Sequence, residues 1–173
     1  KELLDYRLKR IEQVSIPMDG EVPLDVYCSY SRNQILSAFN HKDPSNMQEG
    51  VYYSREYNTD ILLVTLKKTE KLYTPTTMYK NYAINPYKFH WESQNKTTTE
   101  SESGKRYINS SSNVLLFVRE SKVDMYNMTP PYTFLGPVKI ESHRGNKPME
   151  IVWKMKYRIP ARFIEELTRG LAI

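Results

Sequence analysis

Two short runs of almost uninterrupted apolar residues predict the central strands of this chain. The first, ILLVTL, spans residues 61–66, and the second, VLLFV, spans residues 114–118. Runs of this length without polar alternation are typical of strands that are covered on both faces of a sheet. We therefore expect both segments at the centre of a sheet.

Alternating patterns predict further strands around these two. Residues 151–159 carry apolar side chains at every odd position and lysine, arginine or valine at the even positions, which is typical of a half-buried strand. The segment KFHWESQ at 88–94 predicts another strand, with Phe89 and Trp91 on one side. The segment PPYTFLGPVKIES at 130–142 indicates an edge strand or hairpin arm, because Pro137 would interrupt a central ladder.

Helical periodicity is confined to short segments. Apolar residues recur with helical spacing in residues 1–13, and again after Pro160. Ser31 and Gln34 have the spacing of a capping box and predict a helix from about Arg32 to Phe39. The polar stretch NKTTTESESGK at 95–105 has no apolar anchor, so we expect a mobile or ligand-gripping loop there.

These elements together predict an α+β fold. We expect a mostly antiparallel curved sheet or open β-barrel of five or six strands with three short helices. Prolines and a glycine at 17–23 predict a boundary between an N-terminal helix with its linker, residues 1–23, and a single β-rich domain, residues 24–173.

Composition narrows the class of protein and its location. The chain has one cysteine, Cys28, so neither an internal disulfide nor a cysteine-based zinc site can form, and its three histidines are scattered. No run approaches the ~18 apolar residues of a membrane-spanning helix, and no signal peptide is visible. We therefore expect no cofactor, no structural metal, no membrane contact and a cytoplasmic location.

Positive charge is concentrated in the second part of the sequence. Residues 1–60 contain seven Lys or Arg and ten Asp or Glu, whereas residues 61–173 contain eighteen and ten, and the whole chain carries a net charge of +5. Such asymmetry favours a polyanionic partner, although a solvated basic surface has the same composition.

Several strings resemble one known family. They are TLKKTEKLYTPTTMYKNYAI, FHWESQN, GKRYI, VLLFVRE, PYTFLGPV and GNKPMEIVWKM, spread over about residues 25–160. In this order they resemble a bacterial domain of unknown function at the C-terminus of superfamily II DNA/RNA helicases, often alongside a phospholipase-D-like nuclease. The resemblance implies a restriction- or defence-type protein that acts on DNA, with the helicase core and nuclease elsewhere on the polypeptide. This chain contains no P-loop, GxxxxGK[ST].

Aromatic and amide side chains between residues 79 and 95 form the first candidate site. Rings that stack on a base, beside groups that hydrogen-bond its edge, are what flipped-base pockets and single-strand platforms use. The alternative is that Phe89 and Trp91 fill the core while His90 and Glu92 face solvent. The predicted base contacts are Tyr79, Tyr82, His90, Trp91, Ser93, Gln94 and Asn95.

Basic side chains form the second candidate site. Lys154, Lys156 and Arg158 share one face of a predicted strand at intervals of roughly 6.6–6.8 Å, close to the spacing of phosphates along a nucleic-acid strand. The alternative is the solvated outer face of a half-buried strand. Further phosphate contacts are predicted in polar loops, at Lys105, Arg106, Arg144 and Lys147.

Catalysis finds little support in the sequence. Glu120, Ser121 and Lys122 have the tripeptide spacing of a metal-dependent nuclease, with Asp60 as the further acidic residue. The tripeptide is common by chance in a charged chain. Arg119 directly follows an apolar strand, so we expect it to be partly buried and paired with a carboxylate.

The sequence thus favours a non-catalytic DNA-recognition module of a larger helicase or restriction-type protein, reading a modified base or a DNA end. The alternatives are a docking or oligomerisation module that regulates the helicase core, and a metal-dependent nuclease.

Overall fold

The computed structural model describes residues 15–18, 22–47, 49–66 and 81–164. The predicted N-terminal helix and Tyr79 lie outside the described residues. Residues 161–164 are helical, and the rest of the helix predicted after Pro160 also lies outside them.

Short strands and two short helices make up the described elements. The helices are α1 (Arg32–Ala38) and α2 (Glu102–Ile108). The strands are β1 (Ile16–Pro17), β2 (Asp25–Val26), β3 (Ser29–Tyr30), β4 (Val51–Ser54), β5 (Thr59–Thr65), β6 (Tyr82–Asn85), β7 (Lys88–Glu92), β8 (Asn113–Arg119), β9 (Tyr132–Arg144) and β10 (Glu150–Met155).

Eight of these strands form one open sheet, and β1 pairs with β2 apart from it. The order in the sheet is β4-β5-β8-β9-β10-β7-β6, and β3 also pairs with β9. The pairing of β5 with β8 is parallel, and the other described pairings are antiparallel. The predicted α+β class with a mostly antiparallel sheet is confirmed. The sheet has eight strands and not the predicted five or six. The difference arises because β3, β4 and β6 are short and leave little pattern in the sequence.

The two apolar runs form central strands, as predicted. β5 lies between β4 and β8, and β8 lies between β5 and β9. Their alternate side chains enter two clusters on opposite faces of the sheet. Leu62 and Leu116 lie in one cluster, and Ile61 and Phe117 lie in the other, all four fully buried.

Of the two alternatives predicted for residues 130–142, the hairpin arm is confirmed, because β9 pairs antiparallel with the next strand, β10, whereas the edge strand is wrong. β9 lies between β8 and β10 in the middle of the sheet. Its register with β8 shifts between Leu116 and Phe117, which marks a β-bulge, and Gly136 at this bulge has φ +95°. A bulge locally interrupts the ladder, so Pro137 is tolerated in a central strand.

β9 joins two halves of the sheet. Its first half pairs with β8 up to Val138, and its second half pairs with β10 from Val138 to Arg144. One face of both halves is covered by the cluster that contains Tyr107 of α2. On the other face, α1 and residues 22–26 pack against the first half. The same face of β10 and β7 carries exposed and half-buried side chains.

The two helices test two local predictions. The capping box of α1 is confirmed, because Ser31 Oγ accepts from Gln34 N–H and Gln34 Oε1 accepts from Ser31 N–H. The prediction of a loop at 95–105 is wrong for its second part, because α2 begins there after the N-cap Ser101. In the part of the chain that the structure describes, no helix is long and apolar enough to cross a membrane.

Candidate nucleic-acid interface

Trp91 belongs to the core. Its side chain is 4% exposed, and its ring lies 5.8 Å from that of Tyr107 and 6.1 Å from that of Trp153. Ser93 is also buried, and its Oγ accepts from the Met149 N–H at 2.9 Å. The alternation of β7 therefore places Phe89 and Trp91 inside, as the core-packing interpretation expects. No accessible face of Trp91 remains for stacking on a base.

The remaining predicted base contacts are dispersed. Tyr82 and His90 stack on the opposite side of the sheet, with ring centres 4.7 Å apart and planes at 16°. Gln94 and Asn95 follow β7, and Gln94 Nε2 donates to Glu49 Oε2 at 3.3 Å. Among the described members of this set, the structure thus pairs Tyr82 with His90 and gathers no larger group.

Arg106 is a structural residue rather than an exposed loop cation. Its Nε and Nη2 donate to the carboxylate of Asp60 at 2.9 and 2.8 Å, and its guanidinium lies 3.8 Å from the centre of the Tyr53 ring. Asp60 is fully buried and also accepts from Ser112 Oγ at 2.6 Å. The Asp60 carboxylate raises the pKa of Arg106. The structure therefore places Arg106 on α2, in an ion pair with a buried carboxylate, and not in the polar loop that the sequence predicts.

The acidic residues of the nuclease hypothesis do not meet. Asp60 lies opposite Val114 near the start of β8, whereas Glu120 follows the end of that strand at Arg119. At ~3.3 Å per residue this separates the two by roughly 20 Å. In the described ranges, no group of three or more His, Cys, Asp or Glu side chains could hold a metal ion.

Arg119 is buried as predicted, but with different partners. It is 9% exposed, its Nε donates to Thr65 Oγ1 at 2.9 Å, and its guanidinium lies 4.5 Å from the centre of the Tyr132 ring. Burial lowers the pKa of Arg119. Among the described residues, a hydroxyl and an aromatic ring take the place of the expected carboxylate.

Three lysines lie side by side on the uncovered face of the second half of the sheet. Lys139 of β9 is opposite Lys154 of β10, and Lys154 is opposite Lys88 of β7. Directly opposed residues of antiparallel strands have Cα atoms about 4.5–5.5 Å apart. We call Lys139, Lys154 and Lys88 the lysine row.

The lysine row has little internal charge compensation. Lys88 Nζ lies 2.9 Å from Glu141 Oε1. Lys139 and Lys154 are exposed, and neither forms an ion pair with another described residue. Like charges that face each other across strands destabilise a sheet. The row is therefore a site where a bound anion would relieve repulsion.

The other predicted cations divide between the two ends of β10. Lys156 and Arg158 are exposed, but they follow the end of β10 at Met155, so the strand is shorter than the predicted residues 151–159. At the far end, Arg144 Nε and Nη2 donate to Glu150 at 2.7 and 2.6 Å. The Arg144 hydrogen bond, and a smaller effect of His90, lower the pKa of Glu150.

Two further predicted cations lie away from the lysine row. Lys105 is on α2, and its Nζ lies 3.4 Å from the Glu100 carboxylate. Lys147 is exposed in the turn between β9 and β10, and its N–H donates to the Thr97 carbonyl.

A groove of about 810 Å³ opens beside the lysine row. It lies near the start of β8, where β9 continues beyond its pairing with β8. Lys139, Lys154 and Lys156 line it, together with polar side chains at the start of β8. Trp153 lines it too, is 1% exposed, and its Nε1–H has no hydrogen-bond partner in the described structure. A buried indole N–H usually has a partner, so this donor is an exception among the described residues, and its burial keeps it away from the open part of the groove.

Comparison with known proteins identifies one family. A family model described as a domain of unknown function (DUF3427) matches residues 24–167. Comparison with curated protein sequences gives no match.

Proposed function

We propose that this chain, which belongs to the DUF3427 family, is a DNA-recognition module that binds the phosphate backbone through the lysine row. The observation that carries the proposal is the direct opposition of Lys139, Lys154 and Lys88 on one sheet face. Lys156, exposed directly after the end of β10, adds a further cation beside the row. Neutralised phosphates release counterions, which gives such a surface its affinity.

The groove supplies the second part of the proposal, which is the reading of a base. Its volume of about 810 Å³ is within the range typical of small-molecule pockets. Ser110, Ser112 and Asn113 line the groove and would supply hydrogen-bonding groups to a base, while the lysines at its rim would hold the flanking phosphates. A modified base or an unpaired DNA end is the substrate class that this combination fits.

The lysine row is tested by Lys139→Ala and Lys154→Ala. We expect each substitution to weaken binding to all DNA sequences and to reduce the salt slope by about 0.9 for duplex DNA, the effect of one lost phosphate contact. Fluorescence anisotropy with labelled DNA over a salt series measures both quantities. Lys42→Ala, an exposed lysine in the segment after α1, is the matched control, and equal losses in the three variants would refute the lysine row as the binding site.

The groove is tested by Asn113→Ala together with an oligonucleotide that has one abasic position. In the wild type we expect weaker binding to the abasic oligonucleotide, because the groove then lacks its base. Asn113→Ala removes an exposed amide that lines the groove, so the difference in affinity between the two oligonucleotides should shrink while the salt slope stays unchanged. An undiminished difference would exclude Asn113 as a base contact.

A second candidate function, protein docking, is favoured by the loop between β8 and β9. Met125, Tyr126 and Met128 are 87%, 77% and 65% exposed. Asp124 fixes the loop, since its Oδ1 accepts from the N–H groups of Tyr126 and Met128 at 2.9 Å each. Methionine and tyrosine are enriched at protein interfaces.

Docking is tested by the double substitution Met125→Ser and Met128→Ser. This loop follows β8, roughly 20 Å from the groove along that strand, so DNA affinity should stay unchanged. Association with the helicase core expected on the same polypeptide, measured by titration calorimetry, should weaken. Unchanged association would remove this candidate.

A further inference from the structure

Three tyrosines lie near one another at the end of the lysine row, although they are far apart in the sequence. Tyr87 precedes Lys88, and its carbonyl accepts from the Met155 N–H at 2.9 Å, which brings it beside the end of β10. Tyr157 follows β10, and Tyr27 Oη donates to the Arg158 carbonyl at 2.8 Å. Burial raises the pKa of Tyr27, and the neighbouring phenol groups of Tyr87 and Tyr157 add to this rise.

The surroundings hold two of these rings in place and leave the third open. Tyr27 and Tyr157 are half-buried and pack against the cluster under α1. Tyr157 lies so close to Gly136 that a Cβ there would be 2.7 Å from its ring. Tyr87, in contrast, is 52% exposed. Tyr27 and Tyr157 are therefore held against the core while Tyr87 presents its ring to solvent, and we call the three the aromatic surface.

Cations surround this aromatic surface. Lys88 is adjacent to Tyr87 in sequence, Lys156 Nζ lies 5.3 Å from the centre of the Tyr157 ring, and Arg158 is exposed. Surfaces that bind single-stranded nucleic acid combine a positively charged track with aromatic rings on which successive bases stack. Paired bases inside a duplex do not offer their faces to such rings.

We infer that Tyr87, which lies near Tyr27 and Tyr157, is a stacking platform for an unpaired base of a strand held by the lysine row. The inference rests on the proposed function, because the lysine row must bind the backbone for the platform to be reached. It narrows the ligand class to single-stranded DNA or a duplex with an unpaired overhang.

The experiment compares Tyr87→Ala, Tyr87→Leu and Tyr87→Phe on a single-stranded oligonucleotide and on a blunt duplex. Tyr87→Ala and Tyr87→Leu should weaken single-strand binding about tenfold, the size of one base–aromatic contact, and change duplex binding less than twofold. Tyr87→Phe keeps the ring face and should keep the affinity. Tyr126→Ala replaces an exposed tyrosine on the distant β8–β9 loop. It is the control and should change neither the single-strand affinity nor the duplex affinity.

Two outcomes would overturn the inference, and they differ in what they say of the proposed function. Suppose that Tyr87→Ala changes the affinity for both ligands equally, or for neither, while Lys154→Ala weakens the binding of both. The platform is then wrong, and the lysine row remains the binding site. If the wild type binds neither ligand even at low salt, the proposed function fails and the platform fails with it. Circular dichroism of each variant separates loss of binding from loss of folding.

Discussion

Two basic side chains of this domain, Arg106 and Lys154, have different environments. Arg106 and Lys154 both read as surface cations in the sequence, yet one is bound to a buried carboxylate and the other is exposed. The alternation of residues 151–159 predicts the exposure of Lys154 correctly, because strand position alone decides it. No local pattern predicts the pairing of Arg106 with Asp60, which lies 46 residues away.

The buried ion pair should be a large single contribution to stability. Arg106→Met leaves the fully buried Asp60 carboxylate without its cation, and breaking such a pair costs about 3–5 kcal/mol. Urea denaturation would measure the loss. Lys105→Met, the neighbouring exposed lysine on α2, is the control and should change the free energy of unfolding by less than about 0.5 kcal/mol.

Lys154 should have opposite effects on stability and on DNA binding. Lys154→Ala removes a charge that faces Lys139 and Lys88, so the free energy of unfolding should stay equal or rise by a few tenths of a kcal/mol, about the scale of cross-strand pairs. Thermal unfolding at low salt measures this change. A stability loss above about 1 kcal/mol would show that Lys154 has a structural role instead.

Glu150 gives the domain an acid-sensitive contact. Its pKa is lowered from 4.5, so its stabilising effect is present above pH 4.5 and is lost as the pH falls through the lowered value. The pair is partly exposed, so the effect should stay under about 1 kcal/mol. Glu150→Gln should flatten the pH dependence of unfolding in this acid range, whereas Glu120→Gln, whose carboxylate has no ion pair in the described residues, should not.

Among the elements, α2 and β9 depart from what the sequence predicts, and both do so at a glycine. The stretch before α2 is so polar that it resembles a loop, yet Gly104 allows the helix to lie directly on the carbonyl of Thr98. In β9, the bulge at Gly136 interrupts the ladder, so Pro137 is compatible with a central strand. Helix α1, by contrast, is predictable because its capping box is entirely local.

Gly104→Ala should strongly destabilise the domain. A Cβ at this position would lie 1.9 Å from the Thr98 oxygen, so α2 would have to move away from the segment that precedes it. We expect a loss of about 1–3 kcal/mol, typical of overpacking, measured by urea denaturation. Gly50→Ala, where the closest atom would lie 3.2 Å from the new Cβ, should cause a smaller loss of stability. Equal losses would argue against the close contact at Gly104.

For the whole molecule, pairing across β9 decides which surfaces remain open. The sequence predicts the class of the fold, its buried strands and the exposure of the basic side of β10. It does not predict that Lys88 and Lys139 join Lys154, because strand order and register arise from contacts between distant segments. The role expected of Trp91 fails for the same reason: an aromatic residue in a strand has the same pattern whether its neighbours form a core or a pocket.

Because β9 belongs to both halves of the sheet, the halves should unfold together. Leu116→Ala in the first half and Phe89→Ala in the second each remove a fully buried side chain, at a cost of about 2–5 kcal/mol. Each should shift one common transition, seen by far-UV circular dichroism and by hydrogen exchange of the β5 and β7 amides. Separate transitions for the two halves would contradict a shared unit.

The two tryptophans also give the domain an optical probe of its own core. Trp91 and Trp153 are 4% and 1% exposed, and their ring centres lie 6.1 Å apart across β7 and β10. Buried indoles emit at shorter wavelength than indoles in water, so separation of the two strands would shift the emission of both to longer wavelength. Intrinsic emission therefore reports the packing between β7 and β10 without a label.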